Sequence, residues 1–546
     1  MYTHALAPDL ILHNGKITTQ FKDRPECSAI AIKGSRVVAL GDDEDILGLR
    51  DTHTRVVDLQ GRRAIPGIND AHNHQLQVGQ KMGYIGLEHC GSIAEMIELV
   101  RERAKVTPPG QWIIGEGWNE SLFAEKRPPT RHDLDAATTL HPVIVKRFFN
   151  MDVVNTPALQ MAGLSKTTQD PHGGKIEREG DGTPNGQLRA AAKVFCRKLL
   201  PQPTEQDCAD ALEKAGEAYL KVGITSILDA GMRPYELRGY NLAQRQGKLK
   251  VRSNVMVSWH GFYEDEDGAE LDQRAINFGG VSGLGDDWLR IGGLKMAIDG
   301  GTTSHTAWMF EPFEGETEVR DFNRLNPAQL RAHFSRGHEL GWDIGIHAIG
   351  DRAHHEGVLA FADVLAKSSR REHRHSMIHA YFASEESLRA MREFDITAVI
   401  QPTFVYYEGD DLFRDVGAAR AHRYKPMRTY LDRGIRVVAT SDIPSTVHYD
   451  PFVSMYSIIT RKTHKGTLIA PHEAVTRAEA LYAYTHAGTW LTREEDRKGI
   501  LAPGWLADVA VLDRDFFACD EDEIRKIKVV MTVIDGMVAF NALNTI

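Results

Sequence analysis

The reading of this chain turns on one stretch, Ile65-Pro66-Gly67-Ile68-Asn69-Asp70-Ala71-His72-Asn73-His74. It ends a longer strand-like run that begins at Val56-Val57, bends at Pro-Gly and delivers two imidazoles one residue apart. In extended backbone, residues i and i+2 point to the same face, so both rings can converge on one cation. Neutral imidazole is a common ligand for zinc and similar divalent ions. In a chain with 24 histidines, a lone His-x-His is more often a chance pair on a solvated loop. The weight therefore rests on the apolar approach and on what the rest of the chain supplies.

Upstream of this stretch the chain reads as short strands. Leu10–His13 is followed by Asn14-Gly15, then by Ala29–Ile32 and Arg36–Leu40, and Asn-Gly between apolar residues is a strong hairpin signal. The far end has the same character, with Asp508–Asp513, Val529–Ile534 and a turn at Asp535-Gly536. Two β-rich ends predict one small sheet domain in which the termini meet. Between them, helical stretches precede short apolar strands: Glu205 to Val222 before Ile224–Leu228, Ala360 to Lys367 before Ser376–Ile378, and Met427 to Arg433 before Ile435–Ala439. Repeated strand–helix units point to a parallel sheet, either barrel or doubly wound. Residues about 110 to 200 break the rhythm with Pro, Gly and charge (Lys126-Arg127-Pro128-Pro129, Pro171-His172-Gly173-Gly174), as an insertion over the site or a long surface excursion would.

The 546 residues suit two or three domains, or one large barrel with additions. A net charge of −10 without a long acidic block argues against a nucleic-acid partner, which would need a basic stripe. The densest basic run, Arg370-Arg371-Glu372-His373-Arg374-His375, reads as a solvated helix end. Met1 to Leu12 lacks the pattern of a secretory signal, and no window approaches the length of a membrane span. Five scattered cysteines (Cys27, Cys90, Cys196, Cys208, Cys519) without C-x-x-C fit reduced thiols and a cytoplasmic location.

Further donors stand where short strands end. Asp343–His347 and Ser376–His379 each finish on an imidazole, and Arg436–Asp442 finishes on a carboxylate. In a (β/α)₈ barrel the functional side chains gather at the C-terminal ends of the strands. Each residue alone could equally be a capping group at a strand–loop junction. Lys295 lies in Leu289-Arg290-Ile291-Gly292-Gly293-Leu294-Lys295-Met296-Ala297-Ile298, where a lysine is costly unless paired or chemically changed. Two readings stand side by side: a carbamate formed with carbon dioxide that bridges two cations, or an amine that snorkels out or pairs with Asp299.

Together these motifs resemble the amidohydrolase superfamily, in the branch called amidohydrolase family 3, which includes the N-substituted formamide deformylases. The resemblance is carried by Ile65–His74, Pro129-Thr130-Arg131-His132-Asp133-Leu134-Asp135, His347-Ala348-Ile349-Gly350-Asp351, Ile378-His379-Ala380, Ser441-Asp442-Ile443-Pro444 and Gly499–Asp508. It implies a TIM-like (β/α)₈ barrel at 66–488 with an insertion near its mouth, and a β-sandwich domain built from 1–65 and 489–546. It further implies a centre of two divalent metal ions, zinc being the expected metal. His72, His74 and Asp442 would hold the more buried ion, His347 and His379 the other, and Lys295, carrying carbon dioxide as a carbamate, would bridge them. A water shared by two cations ionises near neutral pH and would attack an amide-like carbonyl. Asp442 would take its proton and pass it to the leaving nitrogen. The substrate would be a small N-substituted amide or formamide, and the assembly a homodimer, with no nucleic acid or membrane as partner.

Two departures from the family pattern bear on the substrate: Phe149-Asn150-Met151-Asp152-Val153-Val154-Asn155-Thr156 where Gly-His is usual, and Ser304-His305-Thr306 where Ser-Arg-Thr is usual. Trp118, His305, Trp308 and Tyr406 are the candidate substrate contacts. With Phe123, Phe310, Phe404 and Tyr407, the aromatic members could wall an apolar pocket, and ordinary core packing accounts for most of them equally well. A serine hydrolase lacks its G-x-S-x-G elbow, and a zinc metalloprotease lacks H-E-x-x-H. The alternatives left are a mononuclear aminohydrolase acting on a cyclic amidine, which would not need Lys295, and a non-catalytic barrel, which should have lost a ligand.

Overall fold

Eight parallel strands carry the site: β1 (Ile68–Asn73), β2 (Ile224–Met232), β3 (Arg252–Ser258), β4 (Leu289–Ala297), β5 (Ile344–Ala348), β6 (Ser376–His379), β7 (Thr397–Ile400) and β8 (Val437–Ala439). Each pairs in parallel with the next. The computed structural model in which they are seen describes residues 7–147, 151–171, 174–263, 268–319, 322–445 and 449–543.

The seam between β8 and β1 is closed by the chain that follows β8. Asp442 N–H donates to His72 O at 3.0 Å and His74 N–H to Ile443 O at 2.9 Å. The Asp70 carboxylate accepts from Ser441 N–H at 2.8 Å and from the Ser441 hydroxyl. The sheet thus wraps into a nearly closed barrel, and the closure itself brings Asp442 beside the His72 strand. β1, β2, β3, β6, β7 and β8 are buried along their whole length, as strands of a parallel sheet covered on both faces should be. Ala71, Leu228, Ala230, Met256, Ile378, Val399 and Val438 form an interior cluster with Ala487 and Leu491 from the short helical stretch Ala487–Thr492.

The termini build two sheets that share one core. One has the strand order 36–41, 29–33, 10–13, 55–58; the other runs 537–541, 529–534, 509–512, 63–66, 16–18, 26–27. Leu10, Leu12, Ile30, Ile32 and Val57 from the first sheet pack with Ile17, Ala64, Val509, Val511, Met531 and Val533 from the second. The run that reads as one strand before His72 is three pieces in three different sheets, at 55–58, 63–66 and 68–73. Gly67 sits at the last crossing, where a Cβ would stand 2.2 Å from Thr225 Oγ1, so no side chain fits.

The two Asx-Gly turns behave differently. Asp535-Gly536 makes the expected two-residue hairpin, with φ of 53° and 71° and Ile534 opposite Met537. Asn14-Gly15 does not. Leu10–His13 pairs with strands at 29–33 and 55–58, whereas Lys16–Thr18 pairs with strands at 26–27 and 63–66. The turn therefore steps the chain from one layer of the sandwich to the other.

Contacts divide the chain into two compact units, Met1–Leu76 with Leu212–Ile546, and Gln77–Ala211. The stretch that departs from strand–helix rhythm at about 110 to 200 falls inside the second. That unit has its own six-stranded sheet, in the order 174–178, 184–190, 151–154, 143–147, 113–116, 85–86. Its cores hold Met96, Val100, Trp118, Phe123, Leu134, Val143 and Val145 on one side and Ile144, Val154, Leu159, Ile176 and Leu188 on the other. The five cysteines are free thiols. Among the described residues no helix is long and apolar enough to cross a membrane.

Candidate metal centre

Register explains why residues far apart in the sequence meet. Ala297, two positions after Lys295, lies opposite His347 in the β4–β5 pair, and Ala348 lies opposite His379 in the β5–β6 pair. His72 is the penultimate residue of β1, and Asp442 follows β8 by three residues. All these positions are at the C-terminal ends of barrel strands, where side chains that point inward face one another.

Asp442 Oδ1 stands 3.2 Å from His72 Nε2 and 3.2 Å from His74 Nε2. Lys295 Nζ is 3.3 Å from His72 Nε2. On the other side His379 Nε2 faces His347 Nδ1 at 2.8 Å. Donor atoms of His72, His379 and Asp442 all lie within 4.8 Å of one another. The structure thus brings together all six residues that the sequence nominates as ligands.

The far nitrogens of His74, His347 and His379 are held in place, whereas His72 Nδ1 is buried without a hydrogen-bond partner among the described residues. His74 Nδ1 contacts Ala230 O at 3.1 Å, His347 Nε2 contacts Gly300 O at 2.9 Å, and His379 Nδ1 contacts Gln401 Oε1 at 2.9 Å. An imidazole that donates one N–H outward presents its other nitrogen's lone pair inward, the form a cation binds. His379 and Asp442 also have left-handed backbones, with φ of 80° and 58°. Such conformations cost energy in non-glycine residues and persist where the surroundings enforce them.

Burial and hydrogen bonding set the protonation states of these donors. Burial, reinforced by Lys295, pushes His72 and His347 down to about 3. Burial and the neighbouring His347 hold His379 well below the ordinary histidine range. Burial disfavours the Asp442 anion, yet hydrogen bonds from His72 and His74 outweigh it and keep the carboxyl well below the usual range. Burial lowers Lys295 to about 7, with Asp442 opposing. Lys295 is 1% exposed. Its other neighbour is the face of Phe262, 5.5 Å away. Asp299 is not its partner: that carboxylate accepts from the backbone N–H groups of Trp308, Ile349 and Gly350.

The residues present suit divalent cations. Donor atoms around a tetrahedral ion with bonds near 2.0 Å lie about 3.3 Å apart, close to the two 3.2 Å separations at Asp442. Neutral imidazoles with a carboxylate match zinc and neighbouring first-row metals. Gln401 and Gly300, which orient two of the rings, escape a search of the sequence for ligand types. Their one signal is position, just after the ends of β7 and β4.

Each nominated substrate contact has its own surroundings. Trp118 is buried in the second unit's own core, stacked near Phe123, with its indole N–H given to Val145 O. Trp308 is buried beside Asp299 with its indole N–H unpaired, and Arg352 lies over its ring at 4.6 Å. His305 stacks on Phe313 and contacts Glu316 Oε1 at 2.9 Å. Tyr406 packs among Tyr407, Tyr456 and His464, and its hydroxyl accepts from Arg525 at 3.2 Å. Phe149 and Asn150 of the first departure lie outside the described residues, and Met151–Val154 forms a strand of the second unit.

Comparison with known proteins gives a consistent picture. A family model described as "Amidohydrolase family" matches residues 55–540. Amidohydrolase YtcJ of Bacillus subtilis (strain 168) is 26% identical over 97% of this chain and 99% of its own length. The N-substituted formamide deformylase of Arthrobacter pascens is also 26% identical, over 97% and 98%. Among solved structures, a metal-dependent hydrolase from Pyrococcus furiosus superposes with a TM-score of 0.75 at 26% identity, covering 93% of this chain and 99% of that one.

Proposed function

The chain belongs to the amidohydrolase family, and from that premise we propose that it hydrolyses the C–N bond of an N-substituted amide or formamide at the strand-end cluster. The observation that carries the reading is the placement of Asp442 Oδ1 3.2 Å from the Nε2 atoms of both His72 and His74. His72, His74 and Asp442 would hold one divalent cation, His347 and His379 a second, and Lys295 as a carbamate would lie between. Bound there, divalent cations supply Lewis acidity, which lowers the pKa of water and polarises a carbonyl.

The chain's own groups do the rest. Among the described residues no carboxylate pairs with Lys295, so its buried amine is chemically available beside His72. Burial favours the neutral amine, whose reaction with carbon dioxide forms one N–C bond, releases one proton and leaves an anion that the cations held beside it would offset. Asp442 is held as an anion, able to accept the proton of the attacking water. As the new C–O bond forms and the C–N bond breaks, Asp442 returns that proton to the leaving nitrogen, giving an acid and an amine. Gln401 keeps His379 turned inward throughout.

The test is hydrolysis of a panel of N-aryl and N-alkyl formamides and amides, with metal content measured for the wild type and for Lys295→Ala. Turnover of that panel, with cation content and rate falling together in the variant, supports the reading. Preference for small polar cyclic ureas would overturn the substrate class. One cation at the strand ends and an unaffected variant would favour the mononuclear aminohydrolase.

A further inference from the structure

A second cluster of donors lies where the chain just after β3 meets two helices packed on the barrel. His260 follows β3 by two residues, Asp272 is in the helix Gly268–Phe278, and His333 is in the helix Pro327–Glu339. His260 Nε2 is 2.6 Å from Asp272 Oδ1, and His333 Nδ1 is 4.0 Å from the same oxygen. One donor atom from each of the three lies within 4.8 Å of the other two.

The packing that sets this arrangement is apolar. Leu271 and Ala275 anchor one helix, and Leu330 and Phe334 the other, so Asp272 and His333 sit at the rims of the buried faces. Gly337 lets the second helix approach Trp259, where a Cβ would stand 3.0 Å from the indole. Trp259 in turn touches both rings, at 4.9 Å from His260 and 5.8 Å from His333. The two imidazoles lie face to face with centroids 3.5 Å apart. Stacking on His260 and Trp259 accounts for the His333 ring, and that packing also leaves its Nδ1 4.0 Å from the carboxylate oxygen that His260 contacts.

We propose that His260, Asp272 and His333 form a separate binding site for one divalent transition-metal cation, with His260 Nε2, an Asp272 oxygen and His333 Nδ1 as ligands. Two imidazoles and a carboxylate are a donor set for zinc and its first-row neighbours, with a fourth position left for water. Tetrahedral coordination asks for about 3.3 Å between donor atoms, so the 2.6 Å contact opens and the 4.0 Å contact closes by about 0.7 Å each. His333 also turns off the face of His260, since the in-plane lone pairs of stacked rings run side by side and do not meet at one ion. Side-chain rotation supplies that: the Asp272 side chain is 43% exposed and the His333 side chain 20% exposed, which leaves both room to turn and gives an ion a route from solvent. The ion would tie two helices to the end of β3. Ser258, two residues before His260, lies opposite Lys295 in the β3–β4 register, so the tie steadies the barrel rim next to that lysine.

The experiment uses the full-length protein and zinc as the probe. Bound zinc is counted by equilibrium dialysis and elemental analysis in the wild type, in Asp272→Asn and in His333→Phe, which keeps a stacked ring but has no nitrogen. The proposal expects each variant to bind one zinc fewer than the wild type, with hydrolytic turnover within about threefold of wild type. It also expects the part of the zinc-induced rise in Tm that depends on this site to vanish in both variants. Equal zinc stoichiometry in all three proteins, with both variants folded by circular dichroism, overturns it. Should His333→Phe fail to fold, the Asp272→Asn count decides alone.

Discussion

The strand-end cluster and the helix-layer cluster use the same donor chemistry but are positioned by different forces. In the first, backbone register does the work: Ala297 opposite His347 and Ala348 opposite His379 fix where the side chains emerge. In the second, side-chain packing around Trp259 and Gly337 sets the distances. A hydrogen-bonded ladder holds its residues rigidly, whereas helices packed on a sheet can shift and side chains at their rims can rotate. The strand-end donors are accordingly close to coordination distance already, and the helix-layer donors must close on an ion.

Four measurements break or sharpen this contrast. The largest effect is expected for Asp442→Asn, which keeps the shape but removes the carboxylate: turnover should fall by about 10²–10⁴. Asp272→Asn should leave it nearly unchanged. Steady-state kinetics on the best amide substrate read both, and equal losses would erase the distinction between the two clusters.

Next, Lys295→Ala should lower the zinc count at the strand ends and leave the zinc lost in His333→Phe untouched. Double-variant stoichiometry that adds the two losses would show independent sites, because sites that share no ligand lose their ions separately. A smaller effect is expected from Gln401→Leu. Losing the group that orients His379 should weaken metal retention by about 10–100-fold, read by competition with a chelator. Retention equal to wild type would show that β6 alone aims the ring.

The smallest effect concerns pH in metal-stripped protein. Burial keeps His347 neutral down to about 3, and burial with His260 beside it keeps His333 neutral down to about 4. An unfolded chain protonates each ring near 6.5, so between that pH and the folded value the unfolded state binds more protons. Stability should therefore fall as pH drops below about 6.5, over a wider window for His347 than for His333. Tm measured against pH should flatten more in His347→Asn than in His333→Asn. The reverse order would show that the helix-layer histidine is the more deeply constrained.

Much of the strand-end site is legible in the chain because each donor ends an apolar run whose character is local. His72, His347 and His379 follow strands of buried residues, and Lys295 interrupts one. Gln401 ends such a run too, but an amide is not a ligand type and so draws no attention. Asp272 and His333 have no local signature, since each sits in an amphipathic helix, whereas His260 follows the buried strand β3 by two residues and carries the same strand-end signal as Asp442. The aromatic residues show the same limit from the other side. Trp118 and Tyr406 look alike in sequence, yet one is enclosed in a core and the other joins a cluster at Arg525.

Local pattern was enough to mark the strands, the β-rich ends and six candidate ligands, because apolar periodicity and strand-end polarity are properties of a few neighbouring residues. It could not say that Asn14-Gly15 links two sheets while Asp535-Gly536 closes a hairpin, since both turns satisfy the same local rule. Nor could it say that the chain after β8 would lie against β1 and carry Asp442 to His72 and His74. Those outcomes depend on which strands pair across hundreds of residues, and pairing is settled by burial of the whole sheet rather than by any segment within it.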